Sequence, residues 1–463
     1  MKTPIADFCK QYAERDVARL HMPGHKGQGS LGVEALDLTE VKGADSLYEA
    51  EGIIAESEAN AAKLFGTRAT FYSAGGSSES IKAMCLLAVR QYNKDHFGKC
   101  TILAGRNAHK SFLQACQLIG FDVRWLPSEE DAYQLCRCTI TPEGLEQRLS
   151  LLREEQVPLA GVFVTSPDYL GNLLDIAGLS EVAHAYGVPL LVDNAHGAYL
   201  KFLPEDKHPI TLGADVSVDS AHKTLPVLTG GGYLHVGTNA PEGFEDTARE
   251  AMCYFGSTSP SYLILQSLDL GNAWLAEKGR EALVAASERV SALKGALVKE
   301  GLSLIGEEPL KVTIDCVASG LDSGTAFSDR LRDFDVECEY VDRDVVVLMF
   351  SPFNREEDYE KLSIAVHMLM QVERVRAASG ETLKAPEKPF LSALLPTVIT
   401  KPYDILARPV ETVPVEESLG RIAADLSMGC PPAILPVVPG EKIDSGVVEV
   451  LKYYGHKEIT VLK

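Results

Sequence analysis

Along the first twenty residues the apolar positions Ile5, Phe8, Tyr12 and Val17 fall near one face of a helix, so the pattern predicts an amphipathic helix over 3–20. The loop that follows, His21-Met-Pro-Gly-His-Lys-Gly27, breaks that period with glycines and a proline. A second helical pattern, IIAESEANAAKLF, fills Gly52 to Phe65 and stops at Gly66. From there short apolar runs alternate with helical ones. A strand over Ala69 to Tyr72 leads into the turn Ser73 to Ser80 and a helix from Ile81 to Tyr92. Ile102 to Ala104 is a strand followed by Arg106-Asn-Ala-His-Lys-Ser111 and a helix; Val162 to Thr165 is another, ending in Ser166-Pro-Asp-Tyr-Leu-Gly171. The uninterrupted apolar run from Val188 to Val192 ends in Asp193, and Val216 and Val218 alternate into Ser220. This rhythm, from Phe71 to Gly232, predicts an α/β fold with a mainly parallel, doubly wound sheet. Sites in such sheets gather at the carboxyl ends of the strands.

A smaller α/β piece begins near Pro309, with strands at Val312 to Cys316 and Val345 to Phe350. Between them Asp333 to Tyr340 alternates acid with apolar at period two, which predicts a strand with one acidic face. Residues 379–390 have the composition of a linker. The expected organisation is an N-terminal helix and arm over 1–51, a large domain over 52–305, a small α/β domain over 306–380 and a C-terminal domain over 381–463.

Composition narrows the partners. The 463 residues carry 65 acidic and 44 basic side chains, a formal charge of −21 that argues against nucleic acid and anionic membrane surfaces. No run approaches the ~18 apolar residues of a membrane span. MKTPIADFCKQYAERD has no apolar leader core, so a cytoplasmic location is expected. The cysteines show no metal-ligand spacing beyond the lone Cys136-x-Cys138, so no metal and reduced thiols are expected.

Two strand ends carry candidate chemistry. In Ser220-Ala-His-Lys223 a lysine stands beside a histidine and a hydroxyl; a desolvated lysine near other cations loses its proton and can form a Schiff base. Alone, Lys223 reads more readily as a solvated surface charge than as a reactive lysine. Asp193 ends the neighbouring buried run, where a carboxylate can hold the ring nitrogen of a pyridine cofactor protonated. Asp and Lys at two strand ends form the skeleton of a site for pyridoxal 5′-phosphate (PLP). The strand, glycine–serine turn and helix start at Gly76, Ser77 and Ser78 supply an anion cradle for its phosphate.

With HMPGHKG, RNAHKS, SAHKTLPVLT, STSPSY and Pro439-Gly-Glu441, the chain resembles the ornithine/lysine/arginine decarboxylase family, in its short Gram-positive-type branch, within the fold-type I PLP enzymes. The resemblance implies decarboxylation of a basic amino acid, with Lys223 bearing the cofactor, His109 stacked on its ring, and Ser220 and His222 at its phosphate. It makes His222 a proton donor and lets His196 orient Asp193 or the ring oxygen. It implies a homodimer or an assembly of dimers, in which the HMPGHKG arm and the Ser257–Thr258 element complete a neighbour's site. Asp168 and Glu339 are candidate partners for a substrate's distal cation. Gly75, Asp168, Asn194, Tyr199, Asp219, Gly230, Cys430 and Ala433 depart from the family's usual pattern. Another PLP reaction on an amino acid (transamination, elimination or desulfurisation) and a catalytically silent binding protein are the alternatives.

Overall fold

The computed structural model describes residues 1–96, 98–129, 135–380, 396–424, 426 and 434–463. Most of the expected linker at 379–390, and the positions Cys430 and Ala433, lie outside them.

Helix α1 (Pro4–Ala13) buries Ile5, Cys9 and Tyr12, one face at the expected spacing, and its first amides, those of Ile5 and Ala6, donate to Asp269. It ends at Ala13 rather than near 20. Past Tyr12 the run Glu14-Arg-Asp16 offers no residue to continue the buried face. Helix α2 (Ile53–Phe65) stops at Gly66, whose φ of 71° is the left-handed cap that glycine adopts without strain.

The large domain then alternates as expected: β1 (Ala69–Ser73), α3 (Gly76–Asp95), β2 (Thr101–Gly105), α4 (Lys110–Ile119), β3 (Asp122–Leu126), α5 (Pro142–Glu154), β4 (Leu159–Thr165), α6 (Ile176–Ala185), β5 (Leu190–Asp193), β6 (Val216–Asp219), α7 (Ala221–Thr224) and β7 (Gly232–Val236). The seven strands lie in the order β1-β7-β6-β5-β4-β2-β3. Strands β2 to β6 run parallel, and β7 lies antiparallel between β1 and β6. Alternate side chains serve two apolar layers. Phe163, Leu191, Val216 and Val218 pack with Ile81, Met84 and Phe112 of α3 and α4, while Val162, Val164, Leu190 and Val192 pack with Leu145, Leu149 and Leu179 of α5 and α6. A sheet buried on both faces is why these strands read as continuous apolar runs.

Helices α8 (Phe244–Cys253), α9 (Tyr262–Trp274) and α10 (Arg280–Lys299) lead to the small domain: β8 (Ser303–Ile305), β9 (Lys311–Asp315), α11 (Gly324–Arg332), β10 (Tyr340–Val341), β11 (Val345–Met349) and α12 (Glu356–Ala378). Its four strands form an antiparallel sheet, β10-β11-β9-β8. The acid–apolar alternation before Tyr340 is only partly a strand. From Asp333 to Asp335 the chain turns and then extends, joining β11 only at its end, where the Glu339 amide donates to Val347 O at 2.9 Å, yet Phe334, Val336 and Cys338 still pack on the core while the acids face water. The alternation holds; what is missing before Glu339 is a paired neighbour.

At the C-terminus α13 (Pro402–Ile405) precedes β12 (Val410–Pro414), α14 (Ser445–Tyr453) and β13 (Glu458–Leu462), with β12 and β13 antiparallel. This part docks on the large sheet through a pair of distant motifs. Arg106 makes a two-pronged bond to Glu441, Nη1–Oε1 at 3.0 Å and Nη2–Oε2 at 2.8 Å, in a nearly buried setting.

Candidate active site

At the carboxyl ends of β4, β5 and β6, opposite the start of α3, a cavity of about 330 Å³ opens. Two larger clefts, of about 550 and 490 Å³, lie elsewhere and gather none of the residues at these strand ends. Size alone would choose wrongly; converging chemistry selects the smaller cavity.

Its walls come from the sheet's topology. In register, Thr165 of β4 stands beside Asp193 of β5, and Asp193 beside Val218 of β6. Asp193 is buried, its Oδ1 accepting the Ala195 amide at 3.2 Å; burial is the main force that pushes its carboxyl up to about 6. One turn past β6, Lys223 reaches across so that Nζ lies 2.9 Å from His196 Nε2 and 5.3 Å from the centre of the Tyr169 ring. Burial, then the charge of Lys223, holds His196 well below its ordinary value, so the ring is neutral. Its Nε2 faces the lysine, and its Nδ1 is buried with no hydrogen-bond partner among the described residues.

Opposite, Gly76, Ser77 and Ser78 form the first turn of α3, so the helix begins at the expected turn rather than after it. Gly76 has φ of 65°, and its amide donates to Gly230 O at 2.7 Å. Gly230 needs its own missing side chain: φ is 100°, and a Cβ there would stand 3.0 Å from Ala74 O. At Gly75, whose φ is −107°, a Cβ would lie 2.7 Å from Glu79 Oε2, which accepts the Gly75 amide, so that carboxylate would have to shift. Ser220 Oγ donates to Ser77 Oγ at 2.8 Å and ties β6 to the cradle.

His109 fulfils both roles open to it. It lines the cavity, and its Nδ1 caps α4 by accepting the Ser111 amide at 3.2 Å. Burial first, and then Lys223, pushes it down to about 3. His222 also lines the cavity; its Nδ1 donates to Gly231 O at 2.9 Å, and burial lowers it, so at neutral pH its Nε2 is an acceptor.

Gly76, Ser77, Ser78, His109, Asp193, His196, Ser220, His222 and Lys223 therefore share one cavity. Thr258 does not. It is exposed on the loop before α9, where Ser261 rather than Ser257, Thr258 or Ser259 holds the N-cap position. The HMPGHKG arm does not line this cavity either; His21 meets Tyr12 and His25 meets Asp37.

Asp168 does not line the cavity. Its Oδ1 accepts the Leu170 and Asn172 amides and its Oδ2 the Asn172 side chain, all within 2.9 Å, so its oxygens close their own turn. Burial pushes it up to about 6. Glu339 stands closer, accepting the Tyr169 hydroxyl at 2.7 Å and contributing to the field at His222.

Sequence reading missed Tyr169 and Thr165. Thr165 had a usable signal, as the last residue of a strand flanking the one that ends in Asp193. Tyr169 had only its place four residues further on. The Asn194 and Asp219 departures prove to be one feature, since Asn194 Nδ2 donates to Asp219 Oδ1 at 2.7 Å. Tyr199 lies outside the cavity, donating to Glu308 and accepting the Leu310 amide between the large and small domains.

Compared with known protein families, residues 3–370 match the Orn/Lys/Arg decarboxylase major domain and residues 390–458 its C-terminal domain. The chain belongs to the Orn/Lys/Arg decarboxylase family. Members are PLP-dependent amino-acid decarboxylases, and the fold is that of the fold-type I enzymes. An arginine decarboxylase of Bacillus subtilis is 29% identical over 96% of this chain and 91% of that protein. The lysine decarboxylase LdcF of Francisella novicida superposes with a TM-score of 0.81 at 17% identity, covering all of this chain and 81% of that one. Oryza sativa TDC, solved with PLP, superposes with a TM-score of 0.56 at 14% identity over 71% of this chain and 75% of that one.

The cavity fits that cofactor. It offers a helix start for a phosphate, a buried acid for a ring nitrogen, a lysine, and two buried polar atoms without partners among the described residues, Thr165 Oγ1 and His196 Nδ1.

Proposed function

We propose that the chain removes the α-carboxylate of a basic amino acid, with arginine the first substrate to test. The observation that carries this reading is the convergence of Lys223, Asp193 and the first turn of α3 on one cavity whose neighbour Tyr169 is bonded to Glu339. The name of the Bacillus subtilis relative adds arginine.

In this reading Lys223 is the attachment point and Asp193 keeps a proton on the ring nitrogen. Ser77, Ser78, Ser220 and His222 hold the phosphate, whose charge favours a proton on His222 Nε2. His109 would face the ring, and His196 Nδ1 would be free to donate to a ring oxygen. When bound, PLP supplies an electron sink for the pair left on the α-carbon as CO₂ departs. Protonated His222 then stands ready to return a proton to that carbon. Glu339, at the mouth beside Tyr169, faces the substrate's distal cation.

A homodimer completes the site. Leu20, Met22 and Leu31 on and beside the arm are 93%, 53% and 82% exposed, surface that a second copy would cover. Thr258 is then within the neighbour's reach as a phosphate partner. Incubation of the PLP-loaded protein with a panel of amino acids, following CO₂ and amine product, tests the reading. CO₂ release from arginine, lysine or ornithine supports it; keto-acid or sulfide formation without CO₂ assigns a different PLP reaction.

A further inference from the structure

Behind the cavity wall stands a second buried acid that none of these steps requires. Asp219 closes β6 one residue before Ser220, and Asn194 follows Asp193 just past the end of β5; neither lines the cavity that their neighbours Ser220 and Asp193 line. Asp219 Oδ1 accepts from Asn194 Nδ2 at 2.7 Å. Its Oδ2 accepts from His208 Nε2 at 3.0 Å and from His235 Nε2 at 3.2 Å. All four side chains are fully buried.

Three ligand-type atoms within 4.8 Å of one another invite a metal ion, yet the hydrogen bonds assign the protons otherwise. The Ile210 amide donates to His208 Nδ1 at 3.3 Å, and Thr70 Oγ1 meets His235 Nδ1 at 2.8 Å. His208, whose Nδ1 accepts, carries its proton on Nε2, where it donates to the carboxylate and has no lone pair for a cation; His235 takes the same tautomer when the Thr70 hydroxyl donates to it. Burial keeps His235 below its ordinary value and hence neutral. Burial opposes the charge on Asp219, but the two histidines outweigh it and hold the carboxyl below the usual range.

The group so held is Asn194. Its amide donates to Val218 O at 3.0 Å and its carbonyl accepts the Gly197 amide at 2.8 Å, closing the 194–197 turn. Within that turn the Ala195 amide bonds Asp193, and His196 meets Lys223. The turn closes tightly over the Asn194 amide group, since a Cβ on Gly197 would lie 2.0 Å from Asn194 Oδ1.

We propose that Asp219, oriented by His208 and His235, is a positioning residue: through Asn194 it fixes the turn carrying Asp193 and His196, and so sets the angle at which the cavity holds the cofactor ring. The inference rests on the reading of this cavity as the PLP site. Asp219's charge also adds to Asp193's hold on a proton.

The test compares wild type, Asp219→Asn, Asn194→Ala and the double variant, each loaded with PLP. The readouts are the PLP dissociation constant and the visible circular dichroism per bound cofactor, which reports ring orientation and which a merely destabilised fold would not move. Each single variant should weaken PLP by about tenfold or more, the loss of one buried bond to a charged group, and should change the dichroism. The double variant should be no worse than either, because both cut one link. If Asp219→Asn does not fold, His208→Gln, which keeps the carboxylate, should show the same changes in smaller measure. Wild-type affinity and dichroism in the single variants, additive losses in the double, or a stoichiometric metal lost on Asp219→Asn would each overturn the proposal. Failure of wild type itself to attach PLP at Lys223 would instead remove the reading on which it rests.

Discussion

Lys223 Nζ lies 2.9 Å from His196 Nε2, so the lysine in the short helix after β6 faces the histidine that follows β5 across the cavity floor. Two neighbouring parallel strands suffice to bring them together, because each strand's end opens on the same edge of the sheet. The pairing makes His196 the acceptor and leaves its Nδ1–H for a bound group.

Asp193 links function to stability. Its buried carboxyl is raised to about 6 from an ordinary 3.8. A raised carboxyl contributes stability below its unfolded value and loses it as pH climbs through the folded one, at a cost on the order of 3 kcal/mol once fully ionised. Without PLP, Asp193→Asn should therefore melt higher than wild type at pH 8, and the gap should narrow to about half by pH 5, closing only below about pH 4. With PLP the same variant should bind more weakly and lose most activity. Thermal melts of both forms at the two pH values check the pair of outcomes; a gap of equal size at both pH values contradicts it.

The two candidate acids should separate by experiment. Glu339→Gln should raise KM for arginine about threefold to fivefold, the worth of an exposed ion pair, with less effect on a neutral analogue. Asp168→Asn should leave that KM nearly unchanged and cost about 1–3 kcal/mol of stability through its broken turn bonds. Steady-state kinetics with denaturant melts distinguish them, and a reversed pattern returns Asp168 to the substrate.

The sheet and the cofactor end of the site were legible in the sequence because both are local. An apolar strand ending in Asp193, a glycine–serine turn and a Ser-Ala-His-Lys run each announce themselves within ten residues. What remained hidden depends on distance. Asp168 drew attention as an acid at a strand end, but whether its oxygens face a cavity or the amides of 170 and 172 is decided by the turn it closes. His208 belongs to no motif, and only the fold brings it to Asp219. Gly230 and Gly75 stood out only as departures from the family pattern; a Cβ at 230 would meet the Ala74 carbonyl, and one at 75 the folded-back Glu79 carboxylate.

Assembly is open to direct measurement. At micromolar concentration, sedimentation should give at least twice the chain's 50.1 kDa. Leu20→Glu, which places a charge on a 93% exposed apolar residue, should shift the protein toward monomer and lower activity together. A fully active monomer would contradict a site completed by a second copy.

The central claim is that Lys223 carries the cofactor. Purified protein loaded with PLP should absorb in the visible, lose that band on borohydride reduction, and yield on digestion a peptide modified at Lys223, while Lys223→Ala shows neither band nor label. A label on any other lysine, with Lys223 unmodified, would contradict the account.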